Sequence, residues 1–409
     1  MTGHDSAMRP ADNVVDASSS WQQAIEIAQP ETARTLGEHR HGLYVHVPYC
    51  ASRCGYCDFN TYTPQETDLD VGVYLQAAIR EIRCAKQYWR APRVDTVFIG
   101  GGTPTMLSAT DLGSILDTID SVFGLSADAE ITVEVNPDSV TAQTLKQLRV
   151  GGFTRASFGV QSLAPHVLAV LERTHTPGRS LAAIDEAHDA GFEHVSADIM
   201  YATPGETDAD LAHTVTSVLT RGVDHVSAYS LIVEPGTRLA RQVRTGAVSM
   251  PEDDVAADRY ELIDALARQQ GLEWYEVSNW SLPGGQCRHN MGYWRNHDWW
   301  AVGPGAHGHV GGIRWVNAKH PRAYTERITA HGHAMVEWEQ VSDTERHLEQ
   351  VMLGLRLGEG LSREVIAASH QHVVEDEIVA GNIRPAGDRL VLTDRGRLFA
   401  DAIARRLTP

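Results

Sequence analysis

Six short β-branched runs, each trailed by an amphipathic stretch, constrain this chain more than any other feature. The runs are "LYVHV" (Leu43 to Val47), "VDTVFIG" (Val94 to Gly100), "EITVEVN" (Glu130 to Asn136), "RASFGV" (Arg155 to Val160), "HVSADIM" (His194 to Met200) and "HVSAYSL" (His225 to Leu231). Between them, segments such as "VYLQAAIREIRCAKQYW" and "RSLAAIDEAHDAG" repeat apolar residues at spacings of three and four, the period of a helix with one buried face. Alternating strands and helices build a parallel sheet, and right-handed crossovers curl it into a barrel or a doubly wound sheet. The strand ends carry "GGGTPT", "NPDS", "QS" and "ATPGET". In such folds the carboxyl ends of the strands carry the chemistry.

The chain has 409 residues, more than one ordinary core holds, so a large barrel with a smaller second domain is expected. Residues 1–41 read as a flexible tail with a short helix around Trp21 to Ile27, and 42–285 as the α/β core. Residues 286–341 form a His- and aromatic-rich connecting region, and 342–409 run helix, helix, helix, "DRLVLTDRG" and a last helix, a winged-helix-like order. That module reads as packing or substrate-covering. With 35 Lys plus Arg against 53 Asp plus Glu, the net charge of −18 repels phosphate backbones, and no nucleic-acid partner is expected. The N-terminal stretch does not read as a secretory signal, and no run is long and apolar enough to span a membrane.

Three of the five cysteines crowd into "HVPYCASRCGYCDFN" as Cys50, Cys54 and Cys57, which suits thiolate ligands in a reducing cytoplasm better than disulfides. Cys84 and Cys287 read as buried or incidental thiols. Two metals fit the CxxxCxxC spacing. A four-iron cluster on three thiolates leaves one iron open to a ligand, whereas a structural zinc site would add His46 as its fourth ligand.

CxxxCxxC after a first barrel strand, with Tyr56 just before the third cysteine, resembles the radical S-adenosylmethionine (SAM) superfamily. "YVHVPYC", "CGYCDFN", "FIGGGTPT", "VEVNP", "ASFGVQS", "LERTH", "DIMYATPGET", "EPGT", "YEVSNW" and "CRHNMGYW" follow in order and resemble the oxygen-independent coproporphyrinogen III oxidase group, in its haem chaperone branch. The resemblance implies a partial (β/α)6 barrel with a [4Fe-4S] cluster on Cys50, Cys54 and Cys57, whose open iron is chelated by SAM. One-electron reduction then cleaves SAM to a 5′-deoxyadenosyl radical. It also implies SAM contacts from Tyr44, Tyr56, Gly101, Gly102, Thr103, Glu134, Gln161, Arg173 and Asp198. "MYATPGET" departs from the family, which often has Gly-Leu before the proline.

Two functions follow from the resemblance. One is oxidative decarboxylation of coproporphyrinogen III to protoporphyrinogen IX. The other is haem carriage to acceptor proteins, among them membrane-associated respiratory enzymes reached from the cytoplasm. The decarboxylases carry another cysteine two residues beyond the third, where this chain has Phe59, so the carrier branch is expected. "HNMGYW" resembles the HNxxYW motif of the chaperones, which implies that His289 offers a nitrogen to haem iron while Tyr293 and Trp294 pack on the macrocycle. His297, His307 and His309 are alternative ligands or plain polar residues. An electron donor for the cluster is a further implied partner, and a homodimer is compatible with the sequence.

Overall fold

The computed structural model describes residues 20–26, 40–67, 70–91 and 93–408. Six parallel strands pair in chain order: β1 (His41–Val47), β2 (Val94–Gly101), β3 (Leu125–Val135), β4 (Arg155–Gln161), β5 (His194–Tyr201) and β6 (His225–Ser230). All six expected runs are strands, and β3 starts five residues earlier than its apolar core suggested. β1 does not pair with β6. The sheet is therefore an open, partial barrel, as the repeating units imply.

Local sequence explains the crossovers. Ser108 with Asp111 and Thr207 with Asp210 form capping boxes that start the helices Ala109–Phe123 and Asp208–Leu219. Gly124, at φ +76°, ends the first of these and admits the turn into β3. Apolar residues on the outer face of the barrel strands, such as Leu43, Val97, Val133 and Phe158, are buried against these helices.

The region 286–341 does more than connect. β9 (Asp298–Val302) pairs in parallel with β1 on the side away from β2, and β10 (His307–Val310), β11 (Ile313–Asn317) and β12 (Met335–Gln340) extend the sheet antiparallel. Beyond β6, β8 (Asn279–Ser281) and β7 (Glu273–Glu276) complete twelve strands. Trp299, Trp300 and Trp315 of this aromatic-rich region are strand residues packing the extension.

Part of the expected tail belongs to the core. Residues 20–26 are helical, and Trp21 is fully buried with its ring near those of Tyr88, Trp300 and Trp315. The other tail residues, 1–19 and 27–39, lie outside the described residues. From Asp343 the chain builds a separate small core around Val351, Val374 and Leu390. Its middle expected helix is instead the short strand β13 (Leu361–Ser362) with single 3₁₀ turns. A hairpin of β14 (Ile383–Ala386) and β15 (Arg389–Leu392) precedes two final helices. Arg397 ties this unit to the barrel by donating to Asp264 at 2.9 Å.

Candidate functional site

The cysteine loop leaves the carboxyl end of β1 and is pinned at several points. Cys50 N donates to Tyr62 O (3.1 Å), Gly55 N to Leu171 O (3.2 Å), and Leu239 N to Gly55 O (2.9 Å). A side chain at Gly55 would strike the Glu172 carboxylate at 2.8 Å. The loop is thus clamped between the segments that follow β4 and β6. Cys50, Cys54 and Cys57 are partly exposed and unbridged.

All three cysteines open onto one cavity of about 790 Å³ inside the barrel. The same cavity is lined by Tyr44, Tyr56, Gly101, Gly102 and Thr103, and by Glu134, Gln161, Arg173 and Asp198. These are the nine positions singled out by resemblance, drawn from the ends of β1 to β5 and the loops after them. Gly102 lies so close to the cysteine loop that a Cβ would meet the Tyr49 carbonyl at 2.6 Å and Cys50 Sγ at 3.0 Å. Gly101 sits at φ +111° against the His46 ring, a conformation that suits glycine. Thr103 Oγ1 and Arg173 Nη1 donate to Cys50 Sγ (3.8 Å) and Cys54 Sγ (3.4 Å).

Two buried carboxyls face the cavity. Burial, with Asp198 adding repulsion, pushes Glu134 up to about 8, although the Gly101 amide donates to it at 2.9 Å. Burial likewise raises Asp198 to about 6 against the Ser227 and Ser157 hydroxyls. At neutral pH Glu134 is mostly protonated and poised to regain charge beside a cationic ligand, whereas Asp198 is mostly ionised and able to accept from hydroxyls. Gln161 and Glu172, which also line the cavity, have left-handed φ of +63° and +53°, and Ala202 has +57° where the family often has glycine. Such strain persists where surrounding structure holds it, and it clusters at ligand sites.

The donor set fits a cluster better than zinc. His46 is occupied: its Nε2 donates to Asn60 O (2.9 Å), and the Tyr44 hydroxyl bonds its Nδ1 (2.9 Å). Among the described residues no three His, Cys, Asp or Glu side chains converge closely enough to hold a single ion. Three thiols around a shared cavity suit a multi-atom inorganic unit, and burial, which lifts Cys57 to about 11, is opposed by positive iron.

"HNMGYW" lies at the opposite end of the barrel. It forms the helix Arg288–Trp294, whose first amides are capped by a carboxylate from the middle of β3: Arg288 N and His289 N donate to Glu130 at 3.1 and 3.0 Å. Arg155 pairs with the same carboxylate at 3.2 Å, and both side chains are almost wholly buried. Burial pushes Glu130 up, but Arg155 and the two amides outweigh it and hold its pKa below the usual value. No sequence pattern announced this pair.

His289, expected to offer a nitrogen to haem iron, has both ring nitrogens hydrogen-bonded in this structure. His289 is buried, with Nδ1 bonded to Thr96 Oγ1 (2.8 Å), Nε2 bonded to the Tyr293 hydroxyl (2.8 Å), and its ring stacked on Phe98. Burial lowers its pKa to about 4, so the ring is neutral with both nitrogens engaged. Tyr293 packs edge-on against Trp299 and lines the inner end of the main cavity, and the partly buried Trp294 packs with Tyr275, Met291 and Leu357. Thr96 and Gly101 are five residues apart on β2, roughly 16 Å along a strand. The motif plugs the barrel floor, while the cysteines occupy its rim.

The alternative histidines differ. His309 is buried with Nδ1 bonded to His297 O (3.1 Å), whereas His307 is exposed at the start of β10. His297 packs near Gly292 beneath the same helix. None of the three lines the main cavity.

Comparison with known proteins places this geometry. The radical SAM superfamily profile matches residues 44–218. The heme chaperone HemW of Mycobacterium tuberculosis is 48% identical over 367 residues, covering 90% of this chain and 94% of that protein. The heme chaperone HemW of Bacillus subtilis is 34% identical, covering 88% and 97%. Among solved structures, coproporphyrinogen III oxidase (HemN) from Escherichia coli superposes with a TM-score of 0.80 over 94% of this chain and 93% of that one. At 22% identity that likeness speaks for the fold alone.

Proposed function

The chain belongs to the haem chaperone family of the radical SAM superfamily, and from that premise we propose that it binds a [4Fe-4S] cluster, SAM and haem and delivers the haem to acceptor proteins. The observation that carries this reading is the convergence of Cys50, Cys54, Cys57 and the nine expected SAM contacts on one cavity. When bound, the cluster supplies an electron for reductive cleavage of SAM. This chain's residues do the holding. The close approach of Gly102 leaves backbone groups bare toward the methionine end, Glu134 accepts from its ammonium, and Asp198 accepts from ribose hydroxyls. Arg173, already donating to Cys54 Sγ, supplies the cation for a carboxylate.

Carriage is favoured over decarboxylation by Phe59. It is an exposed aromatic at the cavity mouth, in the place where the decarboxylases hold a further cysteine. Among the described residues no helix is long and apolar enough to cross a membrane. The test is anaerobic: cluster-loaded protein with SAM, reductant and coproporphyrinogen III, then haem-loaded protein with an apo-acceptor. The reading expects 5′-deoxyadenosine without protoporphyrinogen, and haem transfer to the acceptor. Catalytic formation of protoporphyrinogen would establish the biosynthetic enzyme instead.

A further inference from the structure

The cysteine loop has a second face, turned away from the barrel cavity. There Cys54 and Cys57 border a recess of about 480 Å³ whose other walls include Arg53, Phe59, Glu172 and Arg238. No barrel strand contributes to it. The far wall is the start of the helix Arg238–Arg244, and that helix is bonded directly to the loop: Leu239 N donates to Gly55 O at 2.9 Å, and the Leu239 side chain is buried beside Val167 and Leu171. One hydrogen bond and one residue, Gly55, therefore separate the helix from Cys54.

This helix is cationic on its exposed side. Arg238, Arg241 and Arg244 repeat every three residues and span about 9 Å along the axis. Near the cysteines the charges are balanced, with Arg238 on Glu172 (2.9 Å), Arg53 on Glu66 (3.6 Å), and Asp58 bordering the same recess. Further out they are not. Among the described residues Arg241 and Arg244 have no ion-pair partner, and the adjoining recess that they line with Thr237, Arg238 and Ala240 contains no carboxylate. In a chain of net charge −18, which repels anions elsewhere, such a face selects where a negatively charged partner can land.

Resting on the reading that Cys50, Cys54 and Cys57 hold a cluster, we propose that this face is the docking surface for an acidic one-electron carrier protein, which passes its electron to the cluster through the loop at Cys54. Each reductive cleavage of SAM consumes one electron, so the reduced carrier loses one, the cluster gains one, and the carrier leaves oxidised. Encounters of this kind bury little area and are oriented by charge. Two small recesses, a row of arginines and one exposed aromatic, Phe59, suit such a brief contact. The approach is from outside the barrel, and it leaves the SAM cradle and the helix Arg288–Trp294 uncovered.

The test uses the cluster-loaded full-length protein without oxygen, a flavodoxin as the acidic carrier, and reduced methyl viologen, a small cation, as the control reductant. Arg241→Gln with Arg244→Gln changes two exposed side chains. This variant is expected to bind oxidised flavodoxin about tenfold more weakly by calorimetric titration, and to be reduced by reduced flavodoxin about tenfold more slowly at low salt, followed by the cluster's visible absorbance. Reduction by methyl viologen is expected to be unchanged, Arg241→Lys with Arg244→Lys to behave as wild type, and added salt to narrow the gap between Gln variant and wild type. Wild-type binding and rate in the Gln variant, equal slowing with both reductants, or no binding of flavodoxin to the unmodified protein overturns the docking surface while leaving the cluster standing. Failure of methyl viologen to reduce an iron–sulfur centre in the unmodified protein overturns the cluster reading and the surface together.

Discussion

The two ends of the barrel, both flagged by motif, differ in what they leave free. At the rim, three thiols and two buried carboxyls face a cavity, with strained backbone at Gln161 and Glu172 around them. At the floor, the helix Arg288–Trp294 has its amides capped, its histidine bonded on both nitrogens and its aromatic rings packed. A rim with open donors is built to take ligands. The satisfied floor is built to hold the strands in place.

Removing the donors breaks the comparison most severely. Cys50→Ala, Cys54→Ala and Cys57→Ala together are expected to abolish iron binding and SAM cleavage with little change in melting temperature, since these side chains are partly exposed. Iron analysis beside a thermal melt checks both halves. Glu130→Ala is the counterpart at the floor. It strands Arg155 in the interior and uncaps the helix, a loss of about 3–5 kcal/mol measurable by urea unfolding. Gly102→Ala forces a Cβ against the Tyr49 carbonyl. It should cost about 1–3 kcal/mol and lower the yield of reconstituted cluster while leaving the floor intact.

Acid sharpens the same contrast. The folded pKa of His289, about 4, lies below the unfolded value of 6.5, so its contribution is complete above 6.5 and is lost as pH falls toward 4. Between pH 6.5 and 5 this amounts to on the order of 2 kcal/mol, and His289→Gln should flatten that part of the stability profile. The smallest effect is two residues from Glu130 on the same strand. Asp128 pairs with Arg288 in solvent, and Asp128→Asn should change unfolding by less than about 1 kcal/mol.

Strands and rim were legible because period and spacing are local properties. "HVPYC" and "FIGGGTPT" each place their residues within a few positions of a strand end, so their meeting follows from parallel topology. The floor was not legible, since Glu130, Arg155 and His289 are far apart in sequence and each is unremarkable alone. Motif resemblance located His289 but said nothing of its hydrogen bonds, which only Thr96 and Tyr293 in three dimensions supply. The same holds for Trp21, whose burial depends on rings from β9 and β11. The cationic face of the helix Arg238–Arg244 escaped notice because exposure is a tertiary property.

The central claim is that three cysteines hold a cluster with an open iron beside a SAM cradle. The direct test is the electron paramagnetic resonance spectrum of the reduced, reconstituted protein, recorded with and without SAM. A [4Fe-4S] signal whose g-values shift when SAM is added is the predicted result. A protein that retains zinc, or a cluster signal indifferent to SAM, contradicts it.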